Sequence, residues 1–134
     1  MNLFHKRSAK ALGVGLAAVA LMVGTATSAA AGTTVHAYTT DDNPGGHAWL
    51  RHDGERFYVQ DDDADGYRAS GYLRFNGTTH RLDDANGAST GSSAGWVSKD
   101  FEIAEDTKYE IRVCLRDGAD GAAKFCSAWK AGLA

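Results

Sequence analysis

The sequence predicts an all-β fold, an antiparallel β-sandwich or small barrel of about eight short strands. Runs rich in β-branched and aromatic residues recur along the chain, and turn signals separate them. No amphipathic helical pattern follows residue 31. Alternation of apolar and charged residues is clearest at residues 108–116, where Tyr109, Ile111, Val113 and Leu115 share one phase. That period of two is typical of a strand with one buried face.

The first 31 residues are predicted to be a secretory signal peptide that forms a helix. Cationic residues precede an apolar run at residues 11–24, and Ala29–Ala31 offers an A-x-A cleavage site. The apolar run is too short for a comfortable membrane span. We therefore expect a signal peptide at residues 1–31, a single domain at residues 32–134, and a secreted, extracellular protein.

The mature chain is expected to be acidic. Cleavage removes three of the 14 Lys and Arg residues and none of the 17 Asp and Glu residues, so the formal net charge falls from −3 to −6. Negative charge favours solubility and argues against a nucleic-acid partner. We expect no nucleic acid, no membrane contact after cleavage, and a monomer.

Turn residues divide the first half of the domain into strands. Asp41–Gly46 holds the only proline, Asp53-Gly54 and Asn76-Gly77 are hairpin signals, and Asp61–Gly66 is an acidic turn. The strands predicted between these turns are residues 33–40, 47–52, 56–60, 67–75 and 79–82. A strand at residues 96–103 and a hairpin at residues 108–129 complete the prediction.

The closing hairpin carries the only two cysteines, Cys114 and Cys126. In an oxidising compartment we expect them to form one structural disulfide. Their pairing would place Ile111 opposite Trp129 and Leu115 opposite Phe125 on the core face, with the disulfide on the outer face. Phe57, Phe75 and Tyr109 are also predicted to be core.

The outer face of the same hairpin carries several cations, Arg112, Arg116 and Lys124 among them. Solvation of long side chains is the favoured interpretation. An anionic partner is the alternative.

The acidic turn has the D-x-D-x-D-G spacing of a calcium loop, with Asp61, Asp63 and Asp65 as candidate metal ligands. Position 12 of such a loop would be Tyr72, where an EF-hand needs a bidentate glutamate, and the flanking residues are predicted strands. An EF-hand is therefore excluded. The missing glutamate ligand favours a solvated acidic turn. A simpler calcium site is the alternative. No other cofactor is expected.

No catalytic signature is present in the sequence. The histidines of the mature chain are accompanied by no nucleophile elbow, no H-E-x-x-H motif and no clustered metal-ligand spacing. His47 and His52 are predicted to be surface residues and His80 to be partly buried. We expect no enzyme and name no catalytic residue.

Three aromatic residues are candidate binding residues, because strand alternation places Tyr58, Tyr72 and Trp96 on the phase opposite the core. Exposed rings stack on sugars or anchor protein contacts. The alternative is that they cover the second face of a sheet or pack under residues 83–95. That Gly/Ser-rich segment has no packing residues and is predicted to be a mobile loop.

Short motifs across the mature domain resemble those of a group of small secreted proteins of actinobacteria. The motifs are Gly45-Gly46, Asp53-Gly54, Ala64-Asp65-Gly66 and the closing Cys114 … Cys126-Ser-Ala-Trp129 hairpin. The resemblance implies an extracellular β-sandwich and brings no established activity or catalytic residues. It also favours a structural turn at Asp61–Gly66, because Asp63 is less clearly part of the shared pattern.

The sequence therefore predicts a secreted, non-enzymatic module that binds an extracellular protein or a cell-envelope carbohydrate. The binding surface would include Trp96, residues 83–95 and nearby aromatic residues. The alternative is an inhibitor of an extracellular enzyme that presents residues 83–95 to the active site. A small hydrolase ranks last, because no nucleophile–base pair is visible.

Overall fold

The computed structural model describes residues 32–85 and 95–134, and these residues form eight strands. In chain order they are β1 (Val35–Tyr38), β2 (Gly46–Arg51), β3 (Arg56–Asp61), β4 (Arg68–Phe75), β5 (Thr78–Asp84), β6 (Val97–Asp100), β7 (Lys108–Arg116) and β8 (Lys130–Leu133). The predicted signal peptide and residues 86–94 of the predicted loop lie outside the described residues.

The strands form two four-stranded sheets, with the orders β1-β2-β3-β6 and β5-β4-β7-β8. Every pairing within them is antiparallel. In the described part of the chain no hydrogen-bonded pairing joins the two sheets into a closed cylinder. The all-β prediction is confirmed, and the arrangement is consistent with a sandwich.

The core lies between the two sheets and follows the predicted alternation. On β7 the inward residues Tyr109, Ile111 and Val113 are buried. They face β1 and β2 of the other sheet, whereas Phe57 and Val59 of β3 face β4. Burying a large apolar side chain stabilises by about 1.5–3 kcal/mol. This shared layer therefore holds the two sheets together, and it leaves their outer faces available for other roles.

The Asn76-Gly77 hairpin signal is confirmed. Phe75 pairs with Thr78, so only two residues connect β4 and β5. Both have positive φ, 48° and 77°, which a type I′ turn requires. The β2–β3 connection is longer than a two-residue turn, because Arg51 pairs with Arg56.

The predicted disulfide between Cys114 and Cys126 is present. It joins β7 to the segment that precedes β8. Cys114 lies on the outward phase of β7, as predicted, but its side chain is fully buried. The outer face of the second sheet is therefore covered at this point.

The predicted register of the closing hairpin is wrong away from the disulfide. Ile111 pairs with Lys130, one residue beyond its predicted partner. Leu115 bridges to Lys124, one residue before its predicted partner. Residues 125–129 form no strand, and Phe125 has a φ of 51°. This irregular segment absorbs the two opposite shifts.

The predicted core positions of Phe125 and Trp129 are consequently also wrong. Phe125 is 50% exposed. Trp129 packs outside the second sheet, where the guanidinium carbon of Arg74 is 3.8 Å from its ring centroid.

Two predicted boundaries also differ. β5 continues through Asp83 and Asp84, which the sequence predicts to be part of the loop. The strand predicted at residues 96–103 is shorter, because Trp96 precedes β6 and Phe101 and Ile103 follow it. These last two side chains still pack on the core.

Candidate functional site

The outer face of the first sheet carries six rings in adjacent positions. His36 lies opposite Trp49 and Tyr38 opposite His47 across β1 and β2, and Trp49 lies opposite Tyr58 across β2 and β3. Residues directly opposite each other share a face of the sheet. Trp96, just before β6, packs on the same group. We call these six residues the aromatic strip: His36, Tyr38, His47, Trp49, Tyr58 and Trp96.

Four rings of the strip form a continuous stack. The centroid distances are 4.3 Å from Tyr38 to His47, 4.5 Å from His47 to Trp49 and 4.8 Å from Trp49 to Tyr58. The interplanar angles are 6°, 27° and 2° in the same order. Each such pair contributes about 0.5–1.5 kcal/mol beyond its burial. The stack is therefore a fixed structure.

Trp96 ends the strip differently, because its ring crosses those of Trp49 and Tyr58 at 70° and 69°. The stacked rings cover each other's faces. The exposed members of the strip are Tyr38 and Trp96 at its two ends and His36 on the edge strand β1. Tyr38 is 51% exposed and Trp96 is 42% exposed, whereas Tyr58 is only 9% exposed. The structure thus brings the predicted residues Tyr58 and Trp96 together, with Tyr58 as the support beneath Trp96.

Two histidines belong to the strip, which the sequence did not indicate. His36 Nδ1 and His47 Nε2 are 3.0 Å apart and share a hydrogen bond. Burial, and then the charge of His36, lowers the pKa of His47 to about 4. His47 is therefore neutral at neutral pH. Their outward phase was readable from the sequence, but their proximity depends on the β1–β2 register.

Ion pairs flank the strip at one end of the same face. Arg51 bonds to Asp53, and Arg56 bonds to Asp100, each pair at 2.7 Å. Both pairs are exposed, so each adds little stability. Their effect is to balance the charges locally, so that the face around the strip is close to neutral.

Tyr72 lies on the other sheet and is not part of the strip. It is 8% exposed. Its hydroxyl accepts a hydrogen bond of 2.9 Å from Arg116 Nε, and the guanidinium carbon of Arg112 is 5.2 Å from its ring. The three predicted binding residues therefore do not form one surface.

The acidic turn uses two of its three predicted metal ligands to hold its own backbone. Asp61 Oδ1 accepts from the backbone N–H of Asp63 at 3.2 Å, and Asp65 Oδ1 accepts from that of Tyr67 at 2.9 Å. Across residues 32–85 and 95–134, no group of three or more His, Cys, Asp or Glu side chains is placed to hold a metal ion. Calcium binding stays a prediction.

Asp61 is not a solvated residue of a turn, because it is only 1% exposed. Burial is the main cause that raises the pKa of Asp61. The hydrogen bond from the Asp63 N–H opposes this effect and the charges of Asp65 and Asp84 add to it, and the resulting pKa is about 7. Its Oδ2 is buried and has no hydrogen-bond partner among the described residues. A buried carboxyl group that ionises near neutral pH therefore lies at the start of the acidic turn, Asp61–Gly66.

Two open cavities lie away from the strip. One of about 870 Å³ is lined by Arg74, Lys108 and Glu110 together with the β4–β5 turn. The other, of about 470 Å³, lies beside Arg68 and the acidic turn. Neither of these two linings includes a histidine.

No protein-family model, no curated protein and no solved structure matches this chain. The resemblance to secreted proteins of actinobacteria therefore stays a prediction. Within the part of the chain that the structure describes, no helix is long and apolar enough to cross a membrane.

Proposed function

We propose that this protein is a secreted, non-enzymatic module that binds carbohydrate of the cell envelope through its aromatic strip. The observation that carries the proposal is the exposure of Tyr38 and Trp96 at the ends of a fixed ring stack. A ring that its neighbours already hold loses little conformational freedom when a ligand stacks on it. Such rings suit the apolar faces of sugars, as they suit other flat apolar partners.

The surroundings of the strip favour a neutral ligand. His47 is uncharged at neutral pH because its pKa is about 4, and the nearby arginines are paired with carboxylates. Gln60 and Ser98 occupy the outward positions next to the stack and are partly exposed. Sugar hydroxyls would find hydrogen-bonding groups there.

The dimensions suit more than one sugar unit. Tyr38 is on β1 and Trp96 is next to β6, three strands away. Three strand spacings amount to about 14 Å. A glycan chain lying across the strands would contact both exposed rings.

Secretion is the second part of the proposal. A disulfide is compatible with an oxidising, extracellular compartment. The predicted signal peptide at residues 1–31 supplies the route, and the mature protein would begin at Gly32.

The test uses the oxidised mature protein with isolated cell-wall material and with soluble N-acetylglucosamine oligomers. Binding is measured by retention on the wall and by tryptophan fluorescence. We expect Trp96→Ala and Tyr38→Ala to weaken binding several-fold or more. Phe125→Ala is the matched control, because Phe125 is equally exposed but lies off the strip. No binding by the wild type, or equal loss in the control, would refute the proposal.

An extracellular protein is the second candidate ligand, because Trp and Tyr side chains often anchor protein interfaces. The two ligands are separated by protease treatment of the cell-wall material before the retention assay. Retention that disappears after protease treatment identifies a protein. The inhibitor hypothesis concerns residues 83–95, most of which lie outside the described residues, and it stays a prediction.

A further inference from the structure

The outer face of the second sheet differs sharply in charge from the first. Arg68 lies opposite Arg116, and Tyr72 lies between Arg112 of β7 and Arg81 of β5. Inward neighbours on the same strands fill the core, so these side chains share the outward face. We call this surface the arginine face and define it by Arg68, Arg74, Arg81, Arg112 and Arg116.

The carboxylates on this face are too few to balance it. Asp83 pairs with Arg81 at 2.6 Å and with Arg68 at 3.4 Å, and Glu110 pairs with Arg74 at 2.5 Å. Among the described residues, Arg112 and Arg116 have no carboxylate within ion-pair distance. The face is therefore positive, although the mature chain is acidic.

Arg112 is held by aromatic rings on two sides. Its guanidinium carbon is 4.9 Å from the ring of Trp129 and 5.2 Å from that of Tyr72. Cation–π contacts of this kind hold the guanidinium group in place. Within the described residues the Arg112 side chain makes no hydrogen bond, and its buried Nε has no partner. An oxyanion arriving from solvent would satisfy the terminal Nη donors, whereas the buried Nε stays out of its reach.

Arg116 is fixed in a different way. It donates to the Tyr72 hydroxyl through two nitrogens, at 2.9 and 2.5 Å, and to the carbonyl oxygen of Gly121 at 2.5 Å. These partners are uncharged, so the positive charge of Arg116 is not neutralised. Two fixed and unneutralised guanidinium groups therefore flank the Tyr72 ring.

The cations also repeat along β7. Lys108, Arg112 and Arg116 share the outward phase at intervals of four residues, which places them about 13 Å apart. Lys108 and Arg74 line the 870 Å³ cavity at one end of this row. The row suits an extended anionic polymer.

We propose that the arginine face binds an acidic polysaccharide, with carboxylate groups at Arg112 and Arg116. Nucleic acid fits less well, because duplex DNA carries a charge every 1.7 Å or so and the cations here are much sparser. The net negative charge of the chain also opposes it. The site is on the opposite side of the protein from the aromatic strip, so the two proposals succeed or fail separately.

The test measures binding of the oxidised mature protein to polygalacturonate, with fully methyl-esterified polygalacturonate as the uncharged probe. We expect binding to the charged polymer only, with affinity that falls as salt rises. Arg112→Gln combined with Arg116→Gln should weaken it at least tenfold and flatten the salt dependence. Arg51→Gln combined with Arg56→Gln is the control, because it changes the net charge equally on the other sheet.

A double variant that keeps both positive charges controls for misfolding. Arg112→Lys with Arg116→Lys keeps the charge and should bind several-fold more weakly than the wild type, since an ammonium group cannot bind a carboxylate in a bidentate manner. Equal losses in the arginine-face and control variants would overturn the proposal. So would equal binding of both polymers, no binding of either, or tighter binding of single-stranded DNA at the same salt.

Discussion

Asp61 and His47, whose shifted pKa values lie between about 4 and 7, should affect stability in opposite directions. The pKa of Asp61 is raised from 3.8 to about 7, and that of His47 is lowered from 6.5 to about 4. Between pH 4 and 7 the folded protein therefore holds a proton on Asp61 that the unfolded chain has lost. Over much of the same range it lacks a proton on His47 that the unfolded chain has bound.

The slope of unfolding free energy with pH follows the difference in bound protons between the two states. Near pH 5.5, Asp61 makes stability fall as pH rises, by up to about 1.4 kcal/mol per unit. His47 makes stability rise by up to about 1.2 kcal/mol per unit. The two contributions nearly cancel, so we expect a nearly flat pH profile for the wild type around pH 5.5.

Single substitutions should reveal each contribution. Asp61→Asn removes the contribution that makes stability fall as pH rises. The unfolding free energy of this variant should therefore rise with pH by up to about 1.2 kcal/mol per unit near pH 5.5. His47→Phe keeps a ring between Tyr38 and Trp49 but cannot titrate, so its stability should fall with pH. The double variant should return to a flat profile.

The assay is urea unfolding of the oxidised mature protein at half-unit steps from pH 4.5 to 7.5. This range avoids the loss of ion pairs such as Arg56–Asp100, where the pKa of the carboxylate is lowered by its arginine. Slopes, rather than absolute stabilities, are compared, because an amide at position 61 places a donor in a buried site and costs about 1–3 kcal/mol if unpaired. Parallel profiles for all four proteins would show that neither group is shifted as described.

The remaining predictions concern turns, crosslink and metal. Gly77→Ala should destabilise the protein by about 1 kcal/mol, because Gly77 has positive φ in open space. Gly71→Ala should cost about 1–3 kcal/mol, because its new methyl group would overlap side chains of β3. Urea midpoints measure both changes, and a tolerated Gly71→Ala would contradict the packing. Replacing Cys114 and Cys126 by alanine opens a loop with a sequence separation of 12. The free energy of unfolding should fall by about 3 kcal/mol. An unchanged melting temperature would show that the disulfide is dispensable for stability. If Asp61–Asp65 binds calcium, added calcium must raise the melting temperature relative to chelator; identical melts would remove that hypothesis.

Features set by local chemistry were predictable from the sequence. The Asn76-Gly77 turn depends only on two residues that tolerate positive φ. The alternation along β7 identified Tyr109, Ile111 and Val113 as core. The disulfide followed from the count of cysteines.

Features set by irregular backbone or by distant pairing were not predictable. Phe125 adopts positive φ without being a glycine, and no sequence signal marks the shift in register that accompanies it. The aromatic strip depends on β1 pairing with β2 and on β6 joining β3. Tyr72 was correctly placed on an outward phase, but strand alternation cannot say which of two sheets carries it.

The arrangement of the tryptophans makes the two faces of the protein optically distinguishable. Trp49 and Trp96 belong to the aromatic strip, whereas Trp129, the third of the three tryptophans, stacks on arginines of the other sheet. Trp129→Phe would leave fluorescence that originates only from the strip, and replacing the other two would leave an emitter beside Arg112. Near-UV circular dichroism of these variants reports the packing of each set of rings. A ligand that binds one sheet can thus be recognised by a change in the emission wavelength and intensity of the tryptophans on that sheet.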